Sequence, residues 1–472
     1  MYSILLSLIL SQFNLGAYWA GSSLGQPVDW VRAETQLAQL AKDGFNCVWI
    51  TDLDAKDGAK FSSIAAKYKI KVACRPNEIT LNTDSVLNGD HKKSIEKVLA
   101  DWGTAPKPIW VMGDELKLEI MPQVSNFLVE WYKQTPSNII TVSDWSSIEY
   151  FELSQPLCLD VYPFGSSYPT SEHNAYLSLC RYNARLGDSW VMCQGFDEPG
   201  RLRPTNAQLN WQVWGALMCG AKGLFCFSYP SGGSVNGLLN KDWSPTPLYA
   251  QLSKTYKEVR KYTNLRPTDR YSCIRGSPSC YSVGLTDGAN HYIGVLAGYE
   301  TDQELTLEVG PEILLLVDEH VIFARNGKVR LPMKAGEVKI LKAFLNKNWV
   351  PKYKDLMYVK PITSTGVIPY ENRLCGRGYT ALDGDAWPLN SMTFDLGKSS
   401  RHIVKYRGWA EPSDNRGVQI WTSDDNINFT LVSQNQFGVG IDVEQYLKVS
   451  IAWPEASPAY GWLSDLEVWS YR

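Results

Sequence analysis

The sequence predicts an α/β fold: a (β/α)8 TIM barrel over residues 14–265, followed by two antiparallel β modules. Three observations predict it. Apolar strand-like runs alternate with amphipathic helical runs eight times between Leu15 and Asn264, and eight βα units in about 250 residues match such a barrel in count and size. No glycine-rich phosphate loop follows the first run, which argues against a doubly wound open sheet. Beyond Asn264 the helical periodicity gives way to short alternating runs with turn residues.

The eight strands are expected at LGAYWAG (15–21), NCVWITDL (46–53), KVACRP (71–76), PIWVMGDE (108–115), NIITVSDW (138–145), LCLDVYPFG (157–165), WVMCQGFD (190–197) and GLFCFSYPSG (223–232). Helical patterns separate them, for example VRAETQLAQLAKDG after the first and EHNAYLSLCRYNARLG after the sixth. After the seventh, Pro204 suits a first helical turn, and the eighth helix is expected over 247–264. Residues 266–345 then read as a small antiparallel β-sandwich, and 346–370, with Pro351 and Pro361, as a linker. Residues 371–472 read as a second module of short strands with tryptophans throughout. Residues 1–13 open with an apolar stretch too short to span a bilayer. It has the length of a secretory signal core without a preceding Lys or Arg, and a packed N-terminal segment is the alternative. On the signal reading the protein is secreted or acts at the cell surface.

Composition narrows the function classes. The 472 residues carry 46 Lys and Arg against 49 Asp and Glu, a net charge of −3, so no overall field draws the chain to nucleic acid or anionic lipid. No apolar run is long enough for a membrane span. With 18 Trp and 25 Tyr the chain is rich in flat rings that suit stacking on sugars, although large cores use them too. Cys47, Cys74, Cys158, Cys193 and Cys226 each sit within an apolar run and read as small hydrophobes, whereas Cys273 and Cys280 bracket a short loop that a disulfide could close. Five histidines and no metal-ligand spacing leave no metal and no cofactor expected.

Chemistry in such a barrel sits at the C-terminal ends of the strands. The polar residues there are Asp52, Arg75, Asp114 with Glu115, Asp144 with Trp145, Asp160 with Tyr162, Gln194 followed by Asp197 and Glu198, and Tyr229. Carboxylates dominate. Two or more of them in an aromatic-lined mouth are what glycosidic cleavage needs, one protonated for the departing oxygen and another beside the positive anomeric carbon. Gly113-Asp114-Glu115 is the sharpest feature, because adjacent like charges push one proton affinity up; an acidic cap for the next helix is the alternative. Asp160 and Tyr162 share a strand face and suit gripping one substrate, or a structural Asp and a rim-filling Tyr. Gln194 contacts substrate or is a satisfied polar group in the upper barrel. Asp197 and Glu198 precede Pro199-Gly200 and read equally as solvated loop acids. Trp19 and Trp145 are candidate stacking platforms.

The layout GAYWAG, GFNCVWITD, VMGDE, LDVYPFG, MCQGF and the long eighth-strand segment resembles the TIM-barrel glycoside hydrolases across residues 14–264. The general acid of the large retaining clan ends strand four, a position that maps onto Glu115. That clan has Asn before the acid and a Glu nucleophile ending strand seven; here stand Asp114 and Gln194, so Glu198 or Asp160 would have to substitute. The Asp114-Glu115 pair is similar to that of the substrate-assisted β-N-acetylhexosaminidases. That likeness implies Asp114 orienting a 2-acetamido group, Glu115 protonating the leaving group, and Tyr162 holding the acetamido oxygen. Within residues 371–472, ALDGDAW, MTFDLG, GVQIWTSDDNINFTLVS and LSDLEVW resemble the discoidin-type (coagulation factor type C) carbohydrate-binding modules, which implies a jelly-roll β-sandwich.

The leading expectation is therefore a glycoside hydrolase acting on a glycan substrate that the terminal module helps to hold. A non-catalytic glycan-binding barrel in a structural or adhesive assembly is the second, because strand seven ends without an acid. Acyl or phosphoryl transfer has no nucleophile or phosphate loop behind it.

Overall fold

The computed structural model describes residues 13–20, 28–81, 88–116, 120–137, 139–143, 156–165, 176–177, 180–181, 183–184, 187–268, 273–275, 277, 279–309, 314–317, 320–324, 327–344, 352–355, 363–365, 391–398, 401–410, 417–434, 436, 440–452 and 461–471. Residues 1–12 and the Asp144-Trp145 pair lie outside them. The chain divides into two compact units. The first holds the barrel and ends at Thr263; the second takes Asn264–Arg472 together with Pro163–Tyr182 and Met218–Gly220.

All eight expected barrel strands form. They are β1 (Asn14–Ala20), β2 (Cys47–Leu53), β3 (Lys71–Pro76), β4 (Ile109–Gly113), β5 (Ile139–Ser143), β6 (Leu157–Asp160), β7 (Ser189–Gln194) and β8 (Gly223–Phe227). They pair in parallel in chain order, and β8 closes the barrel against β1. Among the described residues six helices follow barrel strands: α1 (Trp30–Lys42), α2 (Ala55–Lys67), α3 (His91–Trp102), α4 (Met121–Gln134), α5 (Asn206–Cys219) and α6 (Pro247–Val259). Asp29, Asp54 and Thr246 cap α1, α2 and α6 by accepting from backbone N–H groups that the first turn leaves unpaired. At α5 the cap is Thr205, in a reciprocal box with Gln208, so Pro204 precedes the helix instead of opening it. None of these helices is long and apolar enough to cross a membrane.

Side-chain alternation decides what fills the barrel. Tyr18, Cys47, Trp49, Ala73, Val111, Ile140, Val142, Cys158, Trp190, Met192 and Phe225 form one buried interior cluster. Gly16 is required beside it, because a Cβ there would lie 2.3 Å from the Phe225 ring. Burial pushes the Cys47 thiol up to about 12, in keeping with its role as a small hydrophobe.

In the second unit the strands are β9 (Arg266–Pro267), β10 (Cys273–Arg275), β11 (Tyr281–Thr286), β12 (His291–Leu296), β13 (Gln303–Glu308), β14 (Leu314–Val317), β15 (His320–Phe323), β16 (Lys328–Met333) and β17 (Val338–Phe344). They make a three-stranded sheet, β10-β13-β16, and a six-stranded one, β15-β14-β17-β12-β11-β9, whose side chains share one buried core. Cys273 pairs with Glu308, while the Cys280 Sγ lies 3.5 Å from the Gln303 side chain, five residues along β13. That separation, about 15 Å along a strand, is too long for the disulfide considered from sequence.

The remaining strands are β18 (Lys352–Asp355), β19 (Thr363–Thr365), β20 (Ser391–Asp395), β21 (Arg401–Ala410), β22 (Gly417–Ser423), β23 (Thr430–Gln434), β24 (Ile441–Val443), β25 (Tyr446–Ala452) and β26 (Gly461–Tyr471). They form a four-stranded sheet, β18-β26-β21-β24, and a five-stranded sheet, β19-β20-β25-β22-β23, around a second core. The expected linker 346–370 is thereby corrected: β18 and β19 fall inside it and pair with β26 and β20. Prolines flanking these short edge strands made the segment read as a connector. The buried Glu308 carboxylate pairs with Arg401 of the other set of sheets at 2.9 Å and, within its own sheet, with Lys328 at 3.6 Å.

Candidate active site

The mouth of the barrel is built from β1 to β4 and β6 to β8. Tyr18 projects inward from β1, and its hydroxyl lies 3.0 Å from the Thr51 Oγ1 at the end of β2. Thr51 Oγ1 in turn donates to Asp52 Oδ2 at 3.3 Å. The register shifts between Thr51 and Leu53, and Asp52 adopts a left-handed φ of 61°, so the strand turns sharply where this carboxylate is presented. Arg75, buried at the end of β3, donates from Nη1 to Asp114 Oδ2 at 2.7 Å. Burial works against the guanidinium charge, but Asp114 and Tyr18 more than offset it and hold its proton affinity above the usual arginine value.

Asp114 and Glu115 follow β4, where the register against β5 also slips. Glu115 lies at φ 47°, pinned by its N–H to the Val142 carbonyl at 3.2 Å, with an exposed side chain at the rim. The helix that follows starts only at Met121 and has Ile120 at its cap position, so the two acids are not a helix cap. Two strands on from β4, Asp160 ends β6 on the same inward face as Cys158. Burial first, then the neighbouring Asp114 charge, raises its proton affinity well above the carboxylate norm; Glu115 adds to the rise, while the Tyr162 hydrogen bond and Arg201 oppose it. Tyr162 is likewise driven well up by burial and by Asp160, and stays a neutral phenol. The Asp160 Oδ1 is buried and has no hydrogen-bond partner among the described residues.

One wall is aromatic. The Tyr18 and Phe227 rings meet edge to face at 4.8 Å, Phe196 and Phe227 at 5.0 Å, and Tyr162 and Phe196 at 4.9 Å. Carboxyl groups thus face apolar ring surface across one opening, an arrangement suited to a sugar, whose C–H face packs on rings while its hydroxyls and acetal oxygen need polar partners. Among the described residues no group of three or more His, Cys, Asp or Glu is arranged to hold a metal ion.

The structure therefore brings Asp52, Arg75, Asp114, Glu115, Asp160 and Tyr162 together. Three other candidates are corrected. Trp19 is one residue out of phase with Tyr18: it faces away from the barrel interior, 5% exposed, with its ring on Phe61 at 5.2 Å, so it offers no stacking surface. Tyr229 is fully buried, and its hydroxyl is spent on Gln36 of α1. Gln194 is fully buried and donates to the Leu202 carbonyl at 2.8 Å, the role of a satisfied polar group in the upper barrel. Glu198 lies in a tight turn and faces Arg201 Nε at 3.5 Å, while Asp197 is bonded by Arg203 and Asn236. Sequence reasoning missed Tyr18, Thr51 and Arg201. Strict alternation through β1 and β2 would have found the first two; Arg201 lies in a loop with no periodic signal.

No family model and no curated protein matches the chain. Among solved structures it is similar to a catalytic mutant of a GH42 β-galactosidase from G. stearothermophilus, with a TM-score of 0.53 and 8% identity over 70% of this chain and 98% of that one. It is also similar to a glycoside hydrolase family 5 from Bacteroides vulgatus, with a TM-score of 0.49 and 12% identity over 72% of this chain and 92% of that one. At such identity the first likeness establishes a shared fold, the (β/α)8 barrel.

Proposed function

We propose that the barrel is a glycoside hydrolase acting on a polysaccharide or glycoconjugate. The observation that carries this reading is the coupling of Asp114, Glu115 and Asp160 in one mouth opposite an aromatic wall. Glu115, exposed at the rim, gives its proton to the departing glycosidic oxygen. Asp114, ion-paired with Arg75, sets negative charge beside the anomeric carbon while water adds there or, on an N-acetylated sugar, orients the 2-acetamido group, whose carbonyl oxygen bonds that carbon until water displaces it; the water's proton restores the Glu115 acid. Asp160, favoured in its protonated form, hydrogen-bonds within the same mouth. Three accompanying proposals follow the sequence: the strands of residues 371–472 form a discoidin-like jelly-roll that holds the glycan, the sheets of 266–345 form a sandwich, and the protein is secreted or acts at the cell surface. A non-catalytic glycan-binding barrel is the second reading. It is favoured by Gln194 at the end of β7, where the retaining glycosidases it resembles carry their nucleophile.

The test separates proton donation from everything else. Glu115→Gln should lose about 1,000-fold or more in kcat/KM on natural glycosides, yet keep near-wild-type kcat/KM on dinitrophenyl glycosides, whose leaving group departs without a proton. Equal loss on both classes would remove Glu115 from the role of acid.

A further inference from the structure

Arg201 reaches from the loop after β7 to the end of β6. Its Nη1 donates to the Tyr162 carbonyl at 3.0 Å, and its guanidinium carbon lies 5.3 Å from the centroid of the same tyrosine ring. Its Nε faces Glu198 Oε1 at 3.5 Å, and residues 198 and 201 exchange two backbone hydrogen bonds of 3.2 and 2.9 Å, which stiffen the turn that presents it. Phe196, from the same segment, packs edge to face against Tyr162 at 4.9 Å. Tyr162 is thus gripped at its backbone and over its ring, while its hydroxyl engages Asp160. We propose that Arg201 is a positioning residue of this site, holding Tyr162 where its hydroxyl fixes the Asp160 carboxyl beside Asp114 and Glu115. The inference deepens the glycosidase reading and rests on it for the catalytic consequence.

The charged and titratable groups acting on Asp160 come from each side of the mouth. Asp114 and Glu115 after β4 oppose its ionisation, Tyr162 and Arg201 favour it, and Arg75 and Tyr18 reach it through Asp114 and Tyr162. Loss of the Arg201 charge by itself would raise the Asp160 midpoint and would be undone by Arg201→Lys, whereas loss of the grip on Tyr162 would persist in Arg201→Lys. Loss of a side chain that positions the Tyr162-Asp160 pair would alter both the balance and the turnover.

The experiment labels the full-length protein with carboxyl-13C aspartate, with Asp160 assigned by its loss in Asp160→Asn, and titrates wild type, Arg201→Gln and Arg201→Lys. In parallel, kcat and KM are measured on a glycan that wild type cleaves. Arg201→Gln should raise the Asp160 midpoint and lower kcat about 10- to 100-fold, with KM changing less than about threefold. Arg201→Lys should return the midpoint toward wild type because it restores the charge. It should not restore kcat, because an ammonium cannot bond the carbonyl while lying flat on the ring. An unmoved midpoint with unchanged kcat in Arg201→Gln, whatever the loss in Tm, would overturn the proposal. If wild type cleaves no glycan, the glycosidase reading fails, and the titration still decides Arg201: a midpoint that is unmoved in Arg201→Gln, or fully restored in Arg201→Lys, overturns its positioning role, and one that Arg201→Lys restores only in part supports it.

Discussion

Burial in the barrel mouth, with Asp114 beside it, makes the Asp160 carboxyl a weaker acid in the folded chain than in the unfolded one. The sign of the linkage follows. A group whose folded proton affinity is raised contributes stability that is fully present below its unfolded midpoint and lost as pH rises through its folded midpoint. Asp160→Asn, which copies the uncharged form, should abolish that part of the pH dependence. Its Tm should fall less than that of wild type as pH is raised from the ordinary aspartate midpoint up to the raised Asp160 midpoint; parallel curves over that range would mean that Asp160 ionises freely. The carboxyls at this scale were legible in the sequence because each ends an apolar run with the right alternation. Trp19 was misplaced by one residue of that same period: the neighbouring Tyr18 is the ring that faces the mouth. The side chain of Tyr229 lies beyond the regular part of β8, where alternation no longer predicts direction, and the chain turns it toward α1.

At the scale of elements, β7 ends on a group already committed to structure. The Gln194 amide donates to the Leu202 carbonyl at 2.8 Å, and its backbone exchanges bonds with the Gln212 side chain of α5. Gln194→Glu, which would put an acid at the end of β7, would bury a carboxylate against a carbonyl oxygen. It should destabilise the protein by about 3 kcal/mol in denaturant unfolding and create no new activity; a stable, faster variant would contradict the assignment of Gln194 as structural. The strands and most helices were readable from periodicity, and the capping residues from type and spacing. The start of α5 was not, because Pro204 is compatible with a first turn and only the reciprocal Thr205-Gln208 bonds place the cap beyond it. β18 and β19 escaped because edge strands of three or four residues carry too few positions to show a period.

Among the described residues, the candidate site lies at one end of the barrel strands, while the antiparallel sheets have cores of their own. Within the second unit, Glu308, with a side chain only 3% exposed, joins sheets from both sides of the segment 346–370 through Arg401. Arg401→Met should cost about 2 kcal/mol, read as a lower urea midpoint, because it strips a charge-assisted partner from a buried carboxylate; an unchanged midpoint would show that Lys328 suffices. The division into a barrel and later β modules was plain in the switch of periodicity near Asn264. The pairing of distant strands was not, since register is set by tertiary contacts.

The most direct test of the central claim is release of reducing ends from a panel of polysaccharides and glycoconjugates by the intact wild-type protein. The account predicts release from at least one of them, abolished in Asp114→Asn and Glu115→Gln, with a preference for N-acetylated sugars if the acetamido group participates. Binding to a glycan without any release across the panel would contradict it and identify a barrel that holds sugar without cleaving it.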